Sequence, residues 1–265
     1  MSASSRWLVT AAFLLAVLVL ASSQPAFARL DSPPAVELAP LLAPDAPLPL
    51  NHFLCYRVAT GVPVSKTVKL QDQFDRKPRK ALVWDPARLC NPVEKTHNTK
   101  VTNILYPNDH LVLYNIGKHS ITPTLKVQVR NQFGAQQLDV FKPAEVLMVP
   151  SRKLPHGKPQ NTDHFKCYYV QGQPVNATVD LKDQFQQIPQ TVVLQPFGLC
   201  NPTRKFHKQR WTEVLHPDAH LVCYFVQPIN FTKTVTTVNQ FRRENLTTTA
   251  ADLLCAPSRK KVLSN

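Results

Sequence analysis

Glycine is scarce here: six in 265 residues. Loops that cradle phosphate are glycine-rich, and the nucleophile elbow of many serine hydrolases reads Gly-x-Ser-x-Gly. Neither pattern occurs, and neither does the zinc-helix signature His-Glu-x-x-His. Cys-x-x-Cys is absent too, which removes the common thiol-redox and zinc-ribbon spacings. Carboxylates are few, 17 Asp and Glu against 31 Lys and Arg, for a formal charge of +14. Long helical periodicity is missing, and no stretch after the N-terminal apolar run could span a membrane. Together these gaps argue against the familiar hydrolase, metalloprotease and nucleotide-binding classes, and against a helical fold.

The first residues have the form of a secretory signal. Arg6 is the only charge, Trp7 to Leu20 is apolar apart from Thr10, and Ala26-Phe27-Ala28 has the small-x-small form of a cleavage site. The apolar run is shorter than the ~18 residues a membrane helix requires. Cleavage near Ala28 is therefore expected, giving a secreted or periplasmic protein. Residues 29–50 are rich in Pro, Ala and Leu and read as an extended spacer. An exported chain with a large positive charge directs attention to anionic glycans or cell-surface polymers, and nucleic acid is not expected.

The remainder is a pattern repeated four times. The first quarter has His52-Phe53-Leu54-Cys55-Tyr56, Asp72-Gln73-Phe74 and Leu89-Cys90-Asn91-Pro92; the third has His164-Phe165-Lys166-Cys167-Tyr168, Asp183-Gln184-Phe185 and Leu199-Cys200-Asn201-Pro202. The second has His110-Leu111-Val112-Leu113-Tyr114, Asn131-Gln132-Phe133 and Leu147-Met148-Val149-Pro150; the fourth has His220-Leu221-Val222-Cys223-Tyr224, Asn239-Gln240-Phe241 and Leu254-Cys255-Ala256-Pro257. Two units follow, 51–153 and 163–261, each of two quarters, with the Pro- and Gly-bearing stretch 154–162 as a linker. Period-two alternation at Leu125, Val127 and Val129, and apolar opening strands on both faces, predict tandem all-β domains of sandwich or barrel type.

The cysteines pair by elimination. Quarters one, three and four each hold one cysteine in the opening strand and one before the closing proline, whereas quarter two has Leu113 and Met148 there. Both members vanish together, so Cys55–Cys90, Cys167–Cys200 and Cys223–Cys255 are expected, in keeping with an oxidising compartment. The four histidines sit in separate repeats without a carboxylate at fixed spacing, which favours a structural role over a metal site. Asp72 and Asp183 alternate with Asn131 and Asn239, which do not titrate, so the shared role is a backbone hydrogen bond at a turn. The stretch 203–211 is basic with interleaved aromatics. Arg204, Lys205, Lys208, Arg210 and Trp211 are the candidate residues for gripping an anionic or sugar-like ligand.

As a set, these motifs resemble an uncharacterised repeat family of exported bacterial proteins, over nearly all of residues 51–260. The resemblance implies an exported, disulfide-bearing domain of unknown function, and it transfers no catalytic residue, metal or cofactor. The expected function is non-enzymatic binding of an anionic glycan or surface polymer. The alternatives are a structural spacer of the cell envelope and a hydrolase of unrecognised type, for which a cleft joining a carboxylate to His97 or His207 would be the sign.

Overall fold

The computed structural model describes residues 47–59 and 61–263, so the expected signal segment and most of the spacer lie outside the described residues. The first quarter supplies β1 (His52–Val58), β2 (Lys66–Gln71), β3 (Arg79–Val83), β4 (Pro86–His97) and β5 (Lys100–Thr102). The second supplies β6 (His110–Asn115), β7 (Leu125–Asn131) and β8 (Gly134–Lys153). The third supplies β9 (Phe165–Gln171), β10 (Ala177–Lys182), β11 (Gln187–Pro202), β12 (Arg204–His207) and β13 (Arg210–Thr212). The fourth supplies β14 (His220–Asn230), β15 (Thr234–Val238) and β16 (Arg243–Val262). The protein is all-β, as the alternation predicts.

Each opening strand pairs antiparallel with the closing strand of its own quarter: β1–β4, β6–β8, β9–β11 and β14–β16. It also pairs with the closing strand of the preceding quarter: β6–β4, β9–β8, β14–β11 and β1–β16. These pairings close a ring of eight strands, which leaves those strands no free edge. The opening strands are apolar on both faces because both are covered. Phe53, Cys55, Leu111, Leu113, Phe165, Cys167, Leu221 and Cys223 fill the interior of the ring. On the outer face, Leu54, Tyr56, Tyr168 and Tyr224 lie in a second cluster, with the hairpin residues Val127, Val179 and Leu181 among its members.

All three expected disulfides are present, Cys55–Cys90, Cys167–Cys200 and Cys223–Cys255. In quarter two, Leu113 and Met148 are partners in the same register and occupy the same interior cluster. A buried apolar pair has replaced a buried disulfide.

The two tandem repeats are interleaved by strand pairing rather than laid end to end. The ring closes across the halves at β8–β9 and β1–β16. The hairpin strands cross as well: β2 pairs β12, β10 pairs β4, β7 pairs β16 and β15 pairs β8. The described residues accordingly form one compact unit. The connection 154–162 is partly docked. Leu154 N–H donates to the Thr236 carbonyl at 2.9 Å, and the Gln160 and Asn161 N–H groups donate to the Asp109 carboxylate at 2.7 and 3.1 Å. If a specific protease site is inserted after Gly157 and cut, the nicked halves should co-elute on gel filtration and melt as one. Separation of the halves without denaturant would refute the interleaved ring.

Candidate functional site

The repeated Asp/Asn-Gln-Phe motif is a turn with a second task. Asp72, Asn131, Asp183 and Asn239 each accept the backbone N–H of the phenylalanine two residues on, at 2.8–3.0 Å. Each also reaches the opening-strand tyrosine two quarters away. Tyr56 and Tyr168 donate to Asp183 and Asp72 at 3.0 and 2.9 Å, while Asn131 and Asn239 donate to Tyr224 and Tyr114 at 2.9 and 2.7 Å. Carboxylate and amide serve alike because the tyrosine hydroxyl can donate or accept. The carboxylates make the backbone turn bond that their exchange with Asn predicts.

Sequence reasoning missed that a buried lysine recurs in every quarter, although it named one of the four, Lys205, as a ligand contact. Lys95, Lys153, Lys205 and Lys260 each lie three residues after the closing proline, a Pro-x-x-Lys signal that aligning the quarters would reveal. Each ammonium stands over the motif phenylalanine of the following quarter: Phe133 at 5.7 Å, Phe185 at 4.2 Å, Phe241 at 5.5 Å and Phe74 at 4.1 Å. Burial penalises the charged form. It lowers Lys153 and Lys205 to about 7, and Lys95 and Lys260 to about 8.

The histidines at the quarter openings lie behind these lysines, buried. Desolvation, and next the neighbouring lysine, lower His52 and His220 to about 3 and His110 to about 2. His52 and His164 meet the amides of Gln132 and Gln240 at 2.6 and 2.9 Å. Among the described residues no group of three or more His, Cys, Asp or Glu could hold a metal ion.

The basic stretch 203–211 folds as the β12–β13 hairpin, with Lys208 and Gln209 at φ of 48° and 60° in its two-residue turn. The structure splits the five candidates. Arg204 lies over the Trp211 ring at 4.3 Å, donates to Gln71 Oε1 at 3.0 Å and approaches Glu213 at 3.9 Å. Trp211 is 36% exposed and packs on Phe206 at 5.2 Å, and Lys69 of the adjacent β2 sits over Phe206 at 5.3 Å. Lys208 and Arg210 are exposed at the tip. Lys205 departs from the expected set: alternation turns it inward beneath the hairpin, 1% exposed, so an extended ligand outside cannot touch it.

Charge also gathers where the repeat is broken. At the position held by Leu54, Val112 and Val222 in the other quarters, quarter three carries Lys166. Its ammonium bonds Asp75 and lies 3.6 Å from Asp72; Arg79 reaches Asp75 at 3.1 Å. A cavity of about 580 Å³ opens beside this cluster, lined by Leu70, Ala81, Ile116, Lys142 and Tyr168 among others. The rings of His97 and His207 pack on Phe133 and Phe241, and the cavity that His97 lines holds no Asp or Glu. A carboxylate does meet His119, where Glu145 lies at 2.5 Å from Nδ1.

Fold and sites together define a closed, disulfide-stapled barrel of four quarters that carries cationic hairpins on its odd quarters. The chain belongs to the family described as a repeat of unknown function (DUF7450), whose model matches residues 34–142 and 119–257. No curated protein and no solved structure matches it. Among the described residues no helix is long and apolar enough to cross a membrane.

Proposed function

We propose that this is an exported, non-catalytic module that binds an anionic glycan or surface polymer through the outer face of the β12–β13 hairpin. The reading rests on one observation: an exposed guanidinium–indole stack, Arg204 on Trp211, extended by Phe206 and Lys69, with Lys208 at the tip and Arg210 exposed beside it on the opposite, Lys205 side. Aromatic faces stack against sugar rings, and the flanking cations attract sulfate or carboxylate groups. Export is supported by the signal-like residues 1–28 and by three disulfides with no free cysteine among the described residues.

The test replaces Arg204, Lys208, Arg210 and Trp211 with Ala and leaves Lys205 in place. Binding to heparin and to polygalacturonate, measured over a salt series, should weaken by at least about tenfold and lose much of its salt dependence. A variant that binds as the parent does, or a parent that binds neither polymer, would leave the envelope-spacer reading in its place.

A further inference from the structure

The two odd-quarter hairpins carry the same chemical set. In β4–β5, Lys95 faces Thr102 and His97 faces Lys100; in β12–β13, Lys205 faces Thr212 and His207 faces Arg210. Cross-strand partners project from one face, so each hairpin presents a lysine, a histidine, a second cation and a threonine together. Both turns hold two non-glycine residues at positive φ, Asn98 and Thr99 in the first hairpin and Lys208 and Gln209 in the second. Such turns normally use glycine.

The lysines at the base of these hairpins lack the acceptor that their counterparts have. Lys153 donates to Asn91 Oδ1 at 2.7 Å and Lys260 to Asn201 Oδ1 at 2.9 Å, in each case the asparagine of the preceding quarter. For Lys95 and Lys205 the corresponding residues of the preceding quarter are Ala256 and Val149, which have no side-chain acceptor. Lys205 Nζ has no hydrogen-bond partner and stands over the Phe241 ring, and Lys95, 1% exposed, stands over the Phe133 ring. A buried ammonium without an acceptor is costly, and at Lys95 a bound anion would supply the acceptor that Asn91 and Asn201 give Lys153 and Lys260. Burial, then Lys100, lowers the Lys95 ammonium, and burial, then Lys95, lowers His97.

Unlike Lys205, Lys95 borders open space. A cavity of about 350 Å³ is lined by Lys95, His97, Asn98, Lys100, Thr102 and Gln132. It adjoins a second of about 610 Å³ that shares Lys100, Thr102 and Gln132 and is flanked by Arg130 and Arg259. No Asp or Glu lines either cavity.

We propose that the cavity beside Lys95 is an oxyanion site. It takes one sulfate, phosphate or carboxylate group, received by the Lys95 and Lys100 ammoniums with the Thr102 hydroxyl and the Asn98 amide. The second cavity gives room for the remainder of a larger molecule that bears the group. This site is on a different hairpin from the glycan-binding face proposed above and does not depend on it.

The full chain is titrated calorimetrically at constant ionic strength with sodium sulfate, with inorganic phosphate, and with a sulfated disaccharide. One saturable site is expected for at least one of the three. Binding by the free ions points to a small solute; binding by the disaccharide alone points to a group on a polymer; either supports the site. Lys95→Met should cost at least about tenfold in affinity, the scale of one charge-assisted bond. Lys100 is exposed, so Lys100→Gln leaves the fold intact and decides the matter if Lys95→Met does not fold; it should weaken binding several-fold. The Arg204, Lys208, Arg210 and Trp211 variant should bind the small anions as the parent does, which separates this site from the polymer-binding face. Absence of saturable binding to all three probes, or parental affinity in Lys100→Gln, would overturn it.

Discussion

Reducing the three disulfides is expected to unfold the described chain in a single transition, not one half before the other. The bonds close segments of 35, 33 and 32 residues. The chain-entropy model gives each about 4 kcal/mol, and the three together about 11 kcal/mol. A whole domain has only ~5–15 kcal/mol of stability. All three lie inside one ring, and Cys55 Sγ is 3.9 Å from Cys255 Sγ, so loss in one quarter reaches its neighbour directly. Near-ultraviolet circular dichroism through a thermal melt in a thiol reductant should show one low transition. Two separated transitions would count against the ring. Quarter two supplies a finer experiment. Replacing Cys223 and Cys255 with Ala should cost about 4 kcal/mol or more, from lost loop restraint and added cavity. Replacing them with Leu and Met, the pair that quarter two uses, should recover the cavity part.

Removing either partner of the Lys166–Asp75 pair should cost about 3–5 kcal/mol, the usual penalty for stranding a buried charge. Removing both should cost less than the sum. The other quarters provide the replacements: Val for Lys166, as at Val112 and Val222, and Gln for Asp75, as at Gln186. Asp72 would keep its bonds from the Phe74 N–H, Tyr168 and Asn201 in the double variant. A urea-melt cycle over the two single variants and the double measures the coupling. Single losses below about 1 kcal/mol, within the range of surface pairs, or strict additivity would show that the pair does little for stability.

How far the sequence could be read depended on what repetition reports. It reports equivalence, so the quarters, the joint loss of two cysteines and the Asp/Asn turn were all legible. It does not report neighbours. An opening strand alternates identically whether it pairs with its own quarter alone or also with the one before, and closure of the ring leaves no mark in either repeat. Lys205 was misplaced because the basic stretch was weighed by composition; its alternation with Arg204 and Phe206 already put it on the other face. The Pro-x-x-Lys lysines were readable in the same way as the cysteines, but lysine is so seldom buried that its recurrence carried no structural expectation. Lys166 stands out only once its equivalents Leu54, Val112 and Val222 are set beside it.

The crossed hairpins bear on how such a chain could have arisen. Every hairpin strand that reaches beyond its own quarter finds its partner in the opposite half: β2 on β12, β7 on β16, β10 on β4, β15 on β8. The ring, too, is closed only by strands from both halves. A polypeptide of two quarters standing alone would expose all of these edges, together with the tyrosines that the opposite half satisfies. Two copies related by a twofold axis would meet every one of them, since each half gives what it receives. Gene duplication of such a dimer would join partners that were already obligate, and the segment 154–162 would then be the scar of their fusion.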